Sequence, residues 1–305
     1  MKRWIIWFST FFLAIGLGIA SAGLFLAKRY ENESPSPNVL ISPNAPTLAN
    51  EDDSSFETIE EVNVDLIEPS PKLKIIETGD SFHGDEMPAR NGETWLGFYA
   101  TTETAEVKNS RLIVKKVHDD IVDDSPSAKT GKLVSVRGDS DPLFLLKGPS
   151  SIRPGVVTSI FRGKTWPEAY RDAPDDVAPI EVVTVLDKNF RKRFQLGGID
   201  YELKVIRAVT PDRSPILALV LETESLRQVI HTMRTSYEGE RGDADWLGMT
   251  GTLFWIGDLD NDNKPDLYLD LFVHENVSNS VLLMSTKTKK GQLVGVAGQF
   301  WTTGC

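Results

Sequence analysis

Short runs of strand-forming residues follow one another closely through the middle of this chain, and no helical pattern of comparable length interrupts them. They include Leu73–Ile76, Thr94–Tyr99, Arg111–Val117, Lys132–Val136, Leu143–Leu146 and Val156–Phe161. Glu181–Leu186, Arg193–Leu196, Tyr201–Ile206 and Ile216–Leu221 continue the series. Turn signals such as Asp-Pro, Gly-Pro and Gly197-Gly198 separate the runs, and the last reads as a two-residue hairpin turn. Glu222–Arg234 is the best helix candidate, but Val229, His231 and Met233 alternate as in a strand. The expected fold class is therefore all-β, a sandwich or barrel. Pro211–Pro215 suggests a boundary between a β domain over residues 72–213 and a C-terminal β region over 214–305.

The C-terminal region contains the sharpest chemical signal, the stretch DLDNDNKPD from Asp258 to Asp266. Asp258, Asp260, Asp262 and Asp266 stand at its first, third, fifth and ninth positions, and Lys264 offers a backbone carbonyl at the seventh. Ca²⁺ takes about six to eight oxygens at about 2.3–2.6 Å, and carboxylates this close repel one another unless a cation lies among them. An EF-hand needs a bidentate Glu at its twelfth position, where Leu269 stands here, and usually Gly at its sixth, where Asn263 stands. Residues before and after the loop are strand-like, so it is expected to join two strands, with Asn263 in the left-handed conformation. A metal-free Asx-rich turn and a site for another cation are the alternatives.

The segment FWIGDLDNDNKPDLYLDL, Phe254 to Leu271, resembles the calcium loop of FG-GAP (VCBS-type) repeats found in integrin α-subunit propellers and bacterial surface proteins. That resemblance implies Asp258, Asp260, Asp262 and Asp266 as side-chain ligands of Ca²⁺ and Lys264 as the carbonyl ligand. Asn263 departs from the Gly usual in that pattern. A propeller needs several copies at a fixed period, and this chain shows one, so a propeller is rejected. The stretch from His274 through VLLMSTKTKKGQLVGVAGQFWTTGC resembles the tail of bacterial proteins that carry one such loop.

At the N-terminus, Trp4 to Ala27 is uncharged and is flanked by Lys2 and Arg3 before it and Lys28 and Arg29 after it. A bilayer core of ~30 Å takes about 20 helical residues, so residues 1–30 read as a transmembrane signal-anchor. The alternative is a signal cleaved after Ala20-Ser21-Ala22 and a secreted product. Glu31 and Glu33 follow the second basic pair, which places the N-terminus in the cytoplasm and the remainder outside it, in the periplasm or at the cell surface. Residues 31–71 hold ten acidic residues, six Pro, no Lys or Arg and one aromatic, Phe56. Such a composition is expected to form a disordered acidic linker, with a recognition segment within Glu57–Glu68 as the alternative. A chain starting at Lys72 is expected to fold without it.

The first 30 residues carry +4 and residues 31–71 carry −10, which leaves −5 of the total −11 for residues 72–305. A mildly acidic domain without a basic patch argues against nucleic acid as a partner. Cys305 is the only cysteine, which excludes an intrachain disulfide. His83, His118, His231 and His274 lack zinc-site spacing. Gly163-Lys164-Thr165 fails as a phosphate loop, because Thr158 occupies the place of the first Gly. The runs His83–Glu86 and His118-Asp119-Asp120 are metal or acid–base candidates, more often solvated loops. The primary expectation is a membrane-tethered, calcium-binding structural or binding protein of the cell envelope, with an envelope protein or glycan as partner. A calcium-stabilised hydrolase acting on glycans is the alternative.

Overall fold

The computed structural model describes residues 56–60, 73–79, 81–84, 86–102, 104–119, 121–138, 140–148, 151–174, 177–234, 249–271 and 277–303. The expected membrane segment, most of the expected linker, Trp246, His274 and Cys305 lie outside them. Among the described residues no helix is long and apolar enough to cross a membrane. All described residues belong to one compact unit, Asp53–Cys305.

Among the described residues the fold is all-β and is built from three sheets. The strands are numbered along the chain. A seven-stranded sheet runs in the order β2 (Lys74–Ile76), β7 (Phe144–Lys147), β4 (Thr94–Ala100), β5 (Ala105–Val117), β6 (Gly131–Val136) and β3 (Ser81–Phe82), with β8 (Gly155–Val156) also paired to β5. A five-stranded sheet holds β1 (Glu57–Thr58), β12 (Ile199–Val209), β13 (Pro215–Glu222) and β14 (Arg227–Arg234), with β11 (Arg191–Leu196) also on β12. The third sheet orders β10 (Val185–Asp187), β15 (Met249–Asp258), β16 (Asp266–Leu271), β17 (Val277–Met284) and β18 (Gly295–Thr303), with β9 (Thr158–Arg162) beside β15.

This third sheet is apolar on both faces, as a sheet covered on both sides must be. Leu253, Ile256, Leu267, Leu269, Leu271, Val281 and Leu283 share a core with the five-stranded sheet. Phe254, Trp255, Tyr268, Leu282, Met284 and Phe300 share another with the seven-stranded sheet. A bulge between Leu253 and Trp255 sends two consecutive aromatic residues, Phe254 and Trp255, into the second core. The indole N–H of Trp255 then donates to Ser159 Oγ at 3.0 Å, and its ring meets Phe98 edge-on at 4.8 Å.

Gly197 and Gly198 form the two-residue turn expected between β11 and β12, with φ of 58° and 80°. The residues from Pro211 to Pro215 make the turn of the β12–β13 hairpin, whose pairing runs from Glu202 opposite Glu222 to Val209 opposite Pro215. Strands from before that turn, β9 and β10, pair with β15 after it. Among the described residues one short α-helix, α1 (Trp166–Asp172), interrupts the strands. Thr165 and Glu168 form its capping box, and the Trp166 indole donates to Asp270 on β16 at 3.3 Å.

Residues 56–60, which fall within the expected linker, are docked. β1 pairs in parallel with β12, and the Ile59 amide donates to Val209 O at 2.8 Å. The Ile59 side chain is buried on Ala208, Ile216, Ala218 and Val220. Arg227 donates to both carboxylate oxygens of Glu57, at 2.6 and 2.8 Å. One isoleucine with free strand-edge donors and acceptors is enough to hold a short segment that its acidic surroundings would otherwise solvate. A chain starting at Lys72 lacks these contacts. Ile59→Ala is expected to cost about 2 kcal/mol, the low end for a buried Ile→Ala change, and to lower the melting temperature by about 4–8 °C. An unchanged thermal melt of the variant would show that the segment is not bound.

Candidate metal centre

β15 ends on Asp258 and β16 starts on Asp266, and Gly257 stands opposite Asp266 in the ladder, so the expected loop is closed at its base by strand pairing. Leu259, fully buried, anchors the loop in the core shared with the seven-stranded sheet. Asn261 and Asn263 adopt left-handed φ values of 59° and 63°, which asparagine tolerates better than most side chains. These two residues coil the loop, and the carboxylates at its first, third and fifth positions come together.

The result is a gathered group. One carboxylate oxygen from each of Asp258, Asp260 and Asp262 lies within 4.8 Å of the other two. Asp258 is 2 % exposed, and its two oxygens accept from the amides of Asp262 at 3.0 Å and Asn263 at 2.8 Å. Burial pushes its pKa up, and the charges of Asp262 and Asp260 add to that against the two amide bonds. Asp262 accepts from the Lys264 amide at 2.9 Å and from Ser285 Oγ at 2.6 Å. Asp260 Oδ2 accepts from Thr286 Oγ1 at 3.0 Å and from Ser151 Oγ. Its other oxygen, Oδ1, is buried and has no hydrogen-bond partner. A carboxylate oxygen taken out of water and left bare is costly, and a cation among these three side chains would satisfy it.

Asp266 stands apart. It is fully buried, and its two oxygens accept from the amides of Leu259 at 2.8 Å and Ser285 at 3.0 Å. Burial pushes its carboxyl up to about 8, with smaller upward contributions from Asp260 and Asp262. It therefore ties the loop to the 3-10 turn Ser285–Lys287 that follows β17. Lys264 is exposed at the seventh position. Of the five residues singled out in the sequence, the three acidic residues at the first, third and fifth positions are brought together, and this is a donor set of hard oxygens suited to a divalent cation.

Sequence reasoning missed the neighbours that complete the setting. Ser151 precedes β8, Ser285 and Thr286 lie beyond β17, and none carries a local signal of its role. The β11–β12 turn also presses on the loop: a Cβ at Gly197 would come within 2.3 Å of the Asn263 carbonyl oxygen. Asp262 in turn adds to the upward push that burial gives the Tyr201 hydroxyl.

The other candidates take structural parts. The runs at His83 and His118 do come together, with His83 Nδ1 2.6 Å from Asp119 Oδ2. Asp119 also accepts from the amides of Ile121 and Val122, and Asp123 from those of Asp119 and Thr130, so these carboxylates shape the β5–β6 connection. Thr165 of the rejected phosphate loop caps α1. A groove of about 650 Å³ on the five-stranded sheet is lined by Asp200, Glu202, Glu222 and Glu224 with Arg193 and Tyr201. Arg193 and Lys204 hold the Glu202 carboxyl at about 2, and Lys204 also pairs with Glu222 at 2.5 Å. No family model, curated protein or solved structure matches this chain.

Proposed function

We propose that the protein is a calcium-binding β protein of the cell envelope, tethered to the membrane by its N-terminal apolar segment, with a binding or structural role towards an envelope protein or glycan. The observation that carries the metal reading is the bare, buried Asp260 Oδ1 beside the carboxylates of Asp258 and Asp262. Ca²⁺ fits better than Mg²⁺, because a loop of carboxylate and carbonyl oxygens suits a large, flexible coordination shell and Mg²⁺ keeps its waters. The likeness of residues 254–271 to FG-GAP loops supports the same ion. Millimolar calcium outside the cytoplasm agrees with the orientation read from the flanking charges.

The ion's role is structural. Its carboxylates come from one loop, and no histidine or glutamate is seen beside them among the described residues to activate a water. A binding role is favoured over hydrolysis by Glu202 in the groove, which Arg193 and Lys204 engage and hold well below the usual carboxylate range, whereas glycoside hydrolysis needs a carboxyl kept protonated. Trp95 and Trp255 are buried in the core and do not line that groove.

Calorimetric titration of residues 53–305 with calcium is expected to give saturable binding, lost in Asp260→Ala and weak with magnesium. Absence of any calcium heat at millimolar concentration would reduce the loop to an Asx-rich turn. A reporter fused after Cys305 is expected to be active only outside the cytoplasm, in a chain that stays with membranes through an alkaline wash. Release of a chain starting at Gly23 would replace the tether with a cleaved signal.

A further inference from the structure

Asp258 is held from within the loop by the amides of Asp262 and Asn263, and Asp262 by the Lys264 amide together with Ser285 Oγ from beyond the loop. Asp260 differs from both. Its hydrogen bonds come from two hydroxyls outside the loop, and both fall on the same oxygen, Oδ2. Ser151 lies 109 residues earlier in the chain, in the connection from β7 to β8, and Thr286 belongs to the 3-10 turn after β17. Two donors converging on one carboxylate oxygen from different directions fix the side-chain torsions. They leave the second oxygen, Oδ1, buried and without a hydrogen-bond partner, on a side chain grouped with those of Asp258 and Asp262.

The geometry points to Ser151 and Thr286 as positioning residues that aim Asp260 Oδ1 at the cation before it binds, so that metal affinity depends on a segment of the seven-stranded side of the fold. This rests on the calcium reading above. Preorganisation lowers the ordering cost of binding, since an aspartate already fixed has no torsional freedom left to lose. Linkage makes the effect reciprocal. If the Ser151 contact tightens calcium, calcium must in equal measure hold the chain around Ser151 in place. The nine-residue loop pattern contains neither residue, so a chain with the same loop and no hydroxyl at these places would bind more weakly.

The test compares residues 53–305 with Ser151→Ala, Thr286→Ala, the double variant and Ser151→Thr, which keeps the hydroxyl. Calcium affinity is read by calorimetry, calcium-free stability by thermal melting and local order by hydrogen exchange. Both hydroxyls are near the surface and compete with water, so each Ala variant is expected to weaken the calcium Kd by about threefold and the double variant by about tenfold. Ser151→Thr keeps the wild-type Kd, and the calcium-free melting temperature stays unchanged in all four. In the wild type, calcium slows exchange in residues 151–157. A double variant that binds as tightly as wild type overturns the positioning role, and so does a loss of affinity matched by an equal loss of calcium-free stability. Exchange around Ser151 that is indifferent to calcium also overturns it. A wild type that binds no calcium overturns the calcium reading itself, which separates the two failures.

Discussion

Stripping calcium from residues 53–305 is expected to lower the melting temperature by about 5–10 °C. An ion that binds only the folded state stabilises by RT ln(1 + [L]/Kd), about 2.7 kcal/mol at a hundredfold excess over Kd. For a domain of this size 1 kcal/mol moves the midpoint by roughly 2–4 °C. Removal leaves one carboxylate oxygen from each of Asp258, Asp260 and Asp262 within 4.8 Å of the others without the ion among them. Asp260→Ala and Asp262→Ala are expected to melt, with calcium present, near the chelated wild type and to ignore the chelator. Asp270→Asn is the informative control. Asp270 lies four residues beyond the loop, is buried and accepts from the Asn279 amide at 2.9 Å and Ser278 Oγ at 3.1 Å. Its replacement should lower the baseline stability and keep the full calcium shift. A chelator that moves neither the wild type nor this variant would remove the ion from the account.

Much of the β architecture was readable because strand formation here is local. Thr94–Tyr99, Lys132–Val136, Arg193–Leu196 and Ile216–Leu221 each fall within a strand of the structure, and the two glycines between β11 and β12 form the turn their φ freedom permits. The gathering of Asp258, Asp260 and Asp262 was legible for the same reason, since their spacing within one tight loop fixes their approach. What escaped depends on distant partners. Alternation in Leu267–Leu271 suggests one buried face, yet Tyr268 and Asp270 on the other face are buried too. They are tolerated there because Glu77 accepts from the Tyr268 hydroxyl at 2.5 Å and Asp270 receives the amide of Asn279 and the indole of Trp166. No local pattern announces such partners. α1 was missed because seven residues are too few for amphipathic periodicity, although Thr165 and Glu168 spell its capping box. The docking of Ile59 on the chain's own sheet was missed because scattered apolar residues in an acidic stretch carry no signal of where they pack. Only its pairing with β12 reveals it.

The resemblance counts Asp266 as one more ligand, but the structure gives it a second task that can be separated by experiment. Both of its oxygens are taken by backbone amides, Leu259 on one side and Ser285 on the other, in a fully buried setting. Asp266→Ala leaves two buried N–H groups without an acceptor, at about 1–3 kcal/mol each. With its carboxyl pushed up to about 8, Asp266 is mostly neutral at pH 7 without the ion, so little repulsion from Asp260 and Asp262 is relieved in return. The amide loss wins, and a net destabilisation of about 3 kcal/mol is expected, close to 10 °C in the midpoint. Most of it should persist in chelator, because the brace operates without the ion. Asp260→Ala should differ in kind: its Oδ1 has no partner to lose, and the Ser151 and Thr286 hydroxyls can turn to water. Its calcium-free melt should match that of the wild type. Asp266→Asn, which keeps one acceptor for the two amides, should fall between the two. Equal calcium-free melting of Asp266→Ala and wild type would mean that the amides of Leu259 and Ser285 find other acceptors, and that Asp266 acts, if at all, through the ion alone.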